Sequence, residues 1–456
     1  MTLTVVILAA GKGTRMKSAL PKVLHPIGGC PMLVRVSKTA YELGADNVLV
    51  VYSDHREAME TSMADWGVKA TWVKQAKPQG TGHALAQAVN QLPEKGHTLV
   101  LYGDVPLISA EGLSAMCANR DENGLVVMSG RLDNPTGYGR LIRDESNNVV
   151  KNVEEKDASN EQKAIQEVFM GPMLLANGFL HEYIGQLNND NAQQEYYLPD
   201  LIEIAAQQGL SVRAVETPSM QEMSGVNTRG QLMTMERYYQ GRFAERLMDQ
   251  GVSLIDASRF DCRGELIVGT DVTIDINAVF EGKVSIGSDV VIGANCFIKN
   301  ASIADGAVIH PYSHIENAEI GASCVVGPYA RLRPGTRLEE GARVGNFVEM
   351  KNAELGAGAK ANHLAYVGDA TVGSKSNIGA GVIVSNYDGK NKFRTEIGEG
   401  AFIGSNSVLI APVVVGDDAF VAAGSAISND APAGKLSIAR GRQTVIEHWS
   451  DPRHSD

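Results

Sequence analysis

Between Val268 and Ile427 the apolar positions keep a beat of six. Val268, Ile274, Phe280, Ile286, Ile292 and Ile298 are evenly spaced. The beat resumes at Ile303, Ile309 and Ile315, then at Ile320, Val326, Leu332, Leu338 and Val344. It returns at Ile397, Ile403, Leu409, Val415, Val421 and Ile427. Gly often follows the beat residue, as in Ile286-Gly287, Ile320-Gly321, Val326-Gly327 and Ile403-Gly404. A helix repeats near 3.6 residues and a strand near 2, so a sustained six belongs to neither alone. It predicts an all-β parallel β-helix, a shaft whose flat faces are short strands joined by tight corners. The beat residue points into the shaft, and Gly suits corners that need unusual backbone angles.

The first 228 residues follow another rule, with strand-like runs alternating with helical periodicity. Thr4–Ala10, Asn47–Tyr52 and Thr98–Tyr102 read as buried parallel strands. Pro31–Leu43 and His83–Gln91 read as helices between them. This predicts an α/β doubly wound (Rossmann-like) domain, in which ligands sit beyond the carboxyl ends of the strands. Residues 229–250 carry Leu232, Met235, Tyr238, Tyr239, Phe243 and Leu247 near helical spacing. They read as a linking helix whose apolar stripe packs on either neighbour. The expected division is therefore 1–228, 229–250 and 251–456, the last six residues, Asp451–Asp456, being disordered.

Composition narrows the function classes. The chain has 456 residues with 44% hydrophobic and 21% charged residues, enough for two or three domains with sizeable cores. A net charge of −12 argues against broad nucleic-acid or membrane-surface binding, so an anionic substrate must be held by a few convergent Lys and Arg. Five scattered cysteines without a CxxC read as reduced thiols in a cytoplasmic protein. No run of 18 apolar residues is present, so no membrane span is expected. Met1–Ala10 lacks a basic start and runs into a Gly loop, so it reads as a strand and not a signal peptide.

The first strand ends in Leu8-Ala9-Ala10-Gly11-Lys12-Gly13-Thr14-Arg15-Met16, followed by Leu20-Pro21-Lys22. Glycines here let backbone N–H groups approach an anion closely. Met16 stands where a dinucleotide fingerprint has its third Gly, and there is no GK[ST]. The stretch resembles sugar-1-phosphate nucleotidyltransferases. That resemblance implies that the loop, with Arg15 and Lys22, holds the phosphates of a nucleoside triphosphate. It implies that Gln75 and Gly80-Thr81 read a uracil base, whose carbonyls and N–H suit amide and backbone partners. His83, at the start of a helix, reads as structural. Tyr102-Gly103-Asp104 closes a buried strand with one carboxylate. By the resemblance Asp104 and Asn227 hold Mg²⁺, an ion that takes few protein ligands. Gly139 and Glu154 match positions that hold the nucleotide sugar. One stretch departs from the pattern Glu-[Ile/Val]-Asn-Thr-Gly: here it reads Glu167-Val168-Phe169-Met170-Gly171. Tyr196-Tyr197-Leu198-Pro199-Asp200 carries Pro where Thr is usual. A polar contact pair has become apolar, which is expected to weaken the sugar half of the site.

In the repeat region the polar residues matter, because a shaft needs none of them. Arg333, Lys351, His363, Tyr366 and Asn377 lie in consecutive coils, and Ser385–Glu396 interrupts the beat as an extruded loop. The repeat is similar to the left-handed β-helix of hexapeptide-repeat acyltransferases. Asn362-His363-Leu364-Ala365-Tyr366 and Asn386-Tyr387-Asp388-Gly389 resemble the glucosamine-1-phosphate acetyltransferase members. The resemblance implies His363 as general base on the sugar amine, and Arg333, Lys351, Tyr366 and Asn377 on the sugar phosphate. It places acetyl-CoA on Ala380, Asn386, Tyr387, Ser405, Ala423 and Arg440, with three chains assembling around the cofactor grooves.

The two halves in this order resemble the bacterial bifunctional family that unites N-acetylglucosamine-1-phosphate uridyltransferase with glucosamine-1-phosphate acetyltransferase. Its substrates would be glucosamine-1-phosphate, acetyl-CoA, N-acetylglucosamine-1-phosphate and UTP, its metal Mg²⁺ and its assembly a homotrimer. Two rivals stand beside this reading. One is a single-activity nucleotidyltransferase with the β-helix as scaffold. The other is a zinc-dependent β-helix hydratase using His310, His314 and His363, although an i, i+4 His pair does not suit a six-residue face.

Overall fold

The computed structural model describes residues 2–451 and Arg453; the rest of the tail expected to be disordered lies outside the described residues. The chain divides into two compact units, Met1–Tyr239 and Gln240–Asp456.

In the first unit seven strands run across one sheet in the order Val212–Glu216, Leu125–Arg131, Glu167–Ala176, His97–Tyr102, Leu3–Leu8, Asn47–Tyr52 and Thr71–Lys74. Leu3–Leu8 lies parallel to both of its neighbours. It is buried throughout, because Val5 and Ile7 enter the core on one face while Val6 and Leu8 enter the core on the other. That double coverage is why the strand reads as a continuous apolar run. Glu167–Ala176 runs antiparallel to both neighbours and shifts register between Phe169 and Met173. The first strand stops two residues short of its expected end, since Ala9 and Ala10 already belong to the loop. The helix expected over His83–Gln91 begins earlier, at Thr81, and its last turn tightens to a 3₁₀ helix at Val89–Gln91.

Arg229–Asp249 is a single helix. Its stripe is divided between the units. Met235 packs with Ile27, Met32 and Val226, flanked by Leu232, Tyr238 and Tyr239, whereas Ala244 and Leu247 enter the core of the repeat region.

The second unit is a parallel shaft with an eleven-stranded sheet and a seventeen-stranded sheet that folds over the remaining sides. Ile298 lies level with Ile315 and Leu332 with Met350, so coils take 17 or 18 residues. All beat residues are buried except Val268, which is half-buried where the shaft begins. The beat does not stop at Val344: Met350, Leu355, Ala361, Val367, Val372, Ile378 and Val384 carry it through to the extruded loop. The loop spans 386–394, between the strands Ile383–Ser385 and Thr395–Ile397. At one corner Tyr312, Tyr329, Phe347 and Leu364 all take positive φ and are exposed, and the three rings stack at 4.9 and 5.3 Å. All five cysteines are free thiols, and no helix among the described residues is long and apolar enough to cross a membrane.

Candidate active sites

In the first unit a cleft opens beyond the carboxyl ends of Leu3–Leu8 and His97–Tyr102. One side of it, where the sequence places the nucleotide, is lined by Leu8, Ala9, Ala10, Gly11, Lys22, Gln75, Gly80, Thr81, Tyr102 and Asp104. The loop can fold over Lys22 only because residue 13 is Gly. Gly13 takes φ +59°, and a Cβ there would lie 2.6 Å from Lys22 Cβ. Lys22 Nζ then reaches Asp104 Oδ2 at 2.5 Å and Asn227 Oδ1 at 3.0 Å. Two oxygen donors separated by more than a hundred residues of chain therefore converge on one cation, which is the donor chemistry Mg²⁺ requires. Arg15 lies exposed in the turn Thr14–Met16, outside the cleft lining, and Gly103 packs behind it against Val23 and Ala9.

The adjoining half of the cleft is lined by Gly139, Glu154, Phe169, Met170, Gln193, Tyr197 and Asn227, together with Tyr102 and Asp104. Phe169 is only 8% exposed and packs into the core on one face, while Met170 packs into the core on the other. Burial raises the Glu154 carboxyl above its usual value, and Asp157 adds to this. Asn152, donating Nδ2–H to Glu154 Oε1 at 2.9 Å, opposes it, as does Arg140. Asn152 is 3% exposed and its Oδ1 has no hydrogen-bond partner among the described residues. A Cβ on Gly139 would fall 2.4 Å from that Oδ1, so Gly139 is the residue that leaves room for Asn152. The Tyr102 phenol is pushed well up by burial and by the Glu154 and Asp104 carboxylates, and Asp200 is raised to about 6 by burial and Glu203.

In the second unit one corner of the shaft forms a ladder. Leu364 N–H donates to Asn346 O, Gly381 N–H to His363 O, Asn406 N–H to Ala380 O and Gly424 N–H to Ser405 O. Arg440 Nη1–H closes the row on Ala423 O at 2.9 Å. His363, Ala380, Ser405, Ala423 and Arg440 thus occupy successive rungs, which at the usual strand separation span about 19 Å. His363 is exposed, and its Nδ1 lies 2.8 Å from Asn346 Oδ1. An amide oxygen only accepts, so the neutral imidazole is the tautomer with its proton on Nδ1 and its lone pair on Nε2.

The cations gather at another corner. Arg333 pairs with Glu349 at 2.7 Å. Lys351 is held below its usual pKa first by the neighbouring Lys392 ammonium, then by desolvation and by Arg333. Asp369 opposes these effects and Glu349 already pairs with Arg333, so three cations share this corner with two carboxylates. Lys392 and Asn346 were not legible in the sequence: one sits in the extruded loop, and the other meets His363 only because consecutive coils stack. Tyr366 is level with Glu349, on the strand between the two corners. Asn386 does not line the Ala380–Arg440 row. It is buried, with its Nδ2–H donated to Asp369, and it anchors the loop that carries exposed Tyr387. Asn377 pairs with Lys360, at the far end of the Lys360–His363 strand from His363. No three metal-binding side chains gather among the described residues, so His310, His314 and His363 form no zinc site.

A nucleotide cleft followed by a hexapeptide shaft defines a two-site transferase. Residues 5–167 match the model of the MobA-like NTP transferase domain, residues 262–340 that of the GMPPB C-terminal domain, and residues 394–429 the bacterial transferase hexapeptide repeats. Over its whole length the chain is similar to curated proteins. It is 50% identical to the bifunctional protein GlmU of Marinobacter nauticus and 51% identical to that of Stutzerimonas stutzeri, each alignment covering 99% of both chains. The GlmU protein of Cupriavidus pinatubonensis is 48% identical over 99% of both. The chain belongs to the bifunctional GlmU family and is a bifunctional enzyme, not a nucleotidyltransferase on an inert scaffold.

Proposed function

We propose that the two sites carry out consecutive steps of UDP-N-acetylglucosamine synthesis. In the second unit the amine of glucosamine-1-phosphate attacks the thioester carbon of acetyl-CoA. The new C–N bond replaces the C–S bond, and the departing sulfur takes a proton. The amine must be neutral to attack, and His363 Nε2, fixed by Asn346, is the base for its proton. Arg333, Lys351 and Lys392 receive the sugar phosphate, and the Ala380–Arg440 row receives the cofactor.

In the first unit a phosphate oxygen of N-acetylglucosamine-1-phosphate attacks the α-phosphorus of UTP, and pyrophosphate leaves. No protein nucleophile is needed. Lys22 neutralises charge on the reacting phosphates, Gln75 and the Gly80-Thr81 loop hold the base, and Glu154 and Gly139 hold the sugar. Asp104 and Asn227 would hold Mg²⁺, which supplies Lewis-acid stabilisation of the triphosphate. Arg15 belongs to this set only if its turn closes over the nucleotide. The convergence of Lys22, Asp104 and Asn227 is the observation that carries this reading.

Assembly as a homotrimer accounts for what one chain leaves apart. His363 and the cation cluster lie at different corners, and the exposed ring ladder ends at Leu364, beside His363. A neighbouring copy packed on that ladder would bring a second set of site residues to the imidazole and cover rings held at a costly backbone angle. The enzyme is expected to act in the cytoplasm, where both phosphorylated substrates and acetyl-CoA occur. Light scattering on the purified protein tests the assembly: a trimer is expected, and a monomer with full CoA release would refute it.

A further inference from the structure

The base-reading amide is not free to turn. Gln75 is 2% exposed, on the nucleotide side of the cleft. Its Nε2 lies 2.9 Å from His83 Nδ1 and 3.3 Å from Gly80 O. A carbonyl oxygen can only accept, so the Gly80 contact fixes this end of the amide as the NH₂. His83 Nδ1 must then accept the other N–H, with the imidazole proton on Nε2; Gln87 Nε2, 3.4 Å from that nitrogen, donates its N–H to His83 O at 3.3 Å instead. Both N–H donors are spent inside the protein. Oε1 has no hydrogen-bond partner among the described residues, and it is the group the amide has left to offer a ligand.

We infer that His83 is the specificity-determining positioning residue of the nucleotide site: it locks Gln75 so that only an acceptor faces the base, which selects uridine over cytidine nucleotides. The inference rests on the first unit taking a nucleoside triphosphate as proposed above. Uracil and cytosine have nearly the same shape. Uracil N3 carries a proton that Gln75 Oε1 can accept, whereas cytosine N3 is a lone pair that meets Oε1 acceptor to acceptor. Without His83 only the longer 3.3 Å contact to Gly80 O would hold the amide, which frees the NH₂ to turn outward and serve cytosine. Sites that leave polar groups mispaired discriminate far more strongly than sites that only fit shape. His83 is not among the residues lining either half of the cleft, so its effect passes through Gln75.

The test measures pyrophosphate release from UTP and from CTP by the full-length enzyme, with N-acetylglucosamine-1-phosphate saturating. His83→Leu removes the acceptor. His83→Asn restores one, because Asn Oδ1 falls near the position of His Nδ1. The UTP:CTP ratio of kcat/KM is expected to fall by about tenfold to a hundredfold in His83→Leu, the worth of one mispaired buried group, and to hold within about threefold in His83→Asn. CoA release by the second unit serves as the folding control. If turnover is lost with both nucleotides, the ratio of UTP and CTP dissociation constants decides in the same way. An unchanged ratio in His83→Leu would overturn the inference and leave His83 a packing residue. A wild-type enzyme that releases no pyrophosphate from UTP would instead overturn the proposed nucleotide site itself.

Discussion

Gly139 is where the sugar half of the cleft is most sensitive to a single methyl group. Gly139→Ala would place a Cβ 2.4 Å from Asn152 Oδ1, 2.6 Å from its Nδ2 and 2.9 Å from its Cγ. Asn152 is buried in the strand Val149–Val153 and cannot move aside without releasing Glu154. A hydrogen bond to a charged group is worth about 1.5–3 kcal/mol, so efficiency with the sugar phosphate should fall about tenfold to a hundredfold. Overpacking should cost a further ~1–3 kcal/mol of stability. The pH dependence has a definite sign. The Asn152 bond favours the ionised Glu154, and burial and Asp157 favour the neutral acid. Removing the bond raises the pKa further, so the acid limb of pyrophosphate release should move to higher pH. A double-mutant cycle isolates the contact. Asn152→Ala alone should reproduce most of the loss, and Gly139→Ala added to it should cost little more. Equal cost of Gly139→Ala in both backgrounds would refute the reasoning and place the clash with the sugar or the backbone.

Lys392→Ala should raise KM for glucosamine-1-phosphate by about tenfold with a smaller change in kcat, read from CoA release, because it removes one of the three cations proposed to receive the phosphate. Asn346→Leu should lower kcat for CoA release by up to about a hundredfold, the low end of what a positioned general base contributes, and Asn346→Asp should recover most of it. The apolar pair Phe169-Met170 is expected to cost the uridyltransferase a sugar hydrogen bond, a loss of a few-fold to about a hundredfold. Phe169→Asn with Met170→Thr should therefore raise pyrophosphate release at low N-acetylglucosamine-1-phosphate. Both residues are core residues, so thermal unfolding should show a destabilisation of about 3–5 kcal/mol for the Phe alone, and the assay belongs below the lowered Tm. An unchanged rate in folded protein would mean that the pocket already compensates.

The shaft was legible because its core repeats: one buried residue every five or six positions shows even without structure. The stretch between Val344 and Ile397 escaped because its central beat residue, Ala361, is small and because the extruded loop after Val384 breaks the spacing to Ile397. In the first unit the strand-end loop and Asp104 drew notice in the sequence because ligands of doubly wound sheets gather at strand ends, and both border the cleft. The pairs that orient the site were not. Asn152 with Glu154, His83 with Gln75, Asn346 with His363 and Lys392 with Lys351 are set by strand register, a helix start and coil stacking, none of which leaves a local signature. Asn386, which the resemblance places on acetyl-CoA, donates its side-chain amide to Asp369, another pairing set by the stacking of coils. Arg15, seven residues before Lys22, sits exposed in the turn Thr14–Met16.

Two separate sites in one chain are the central claim, and scoring pyrophosphate and CoA release side by side on two single variants tests it most directly. Asp104→Ala removes the carboxylate that faces Lys22, and His363→Ala removes the imidazole held by Asn346. Asp104→Ala should abolish Mg²⁺-dependent pyrophosphate release and leave CoA release near the wild-type rate, and His363→Ala should do the reverse. Loss of both activities in either folded variant would contradict the account.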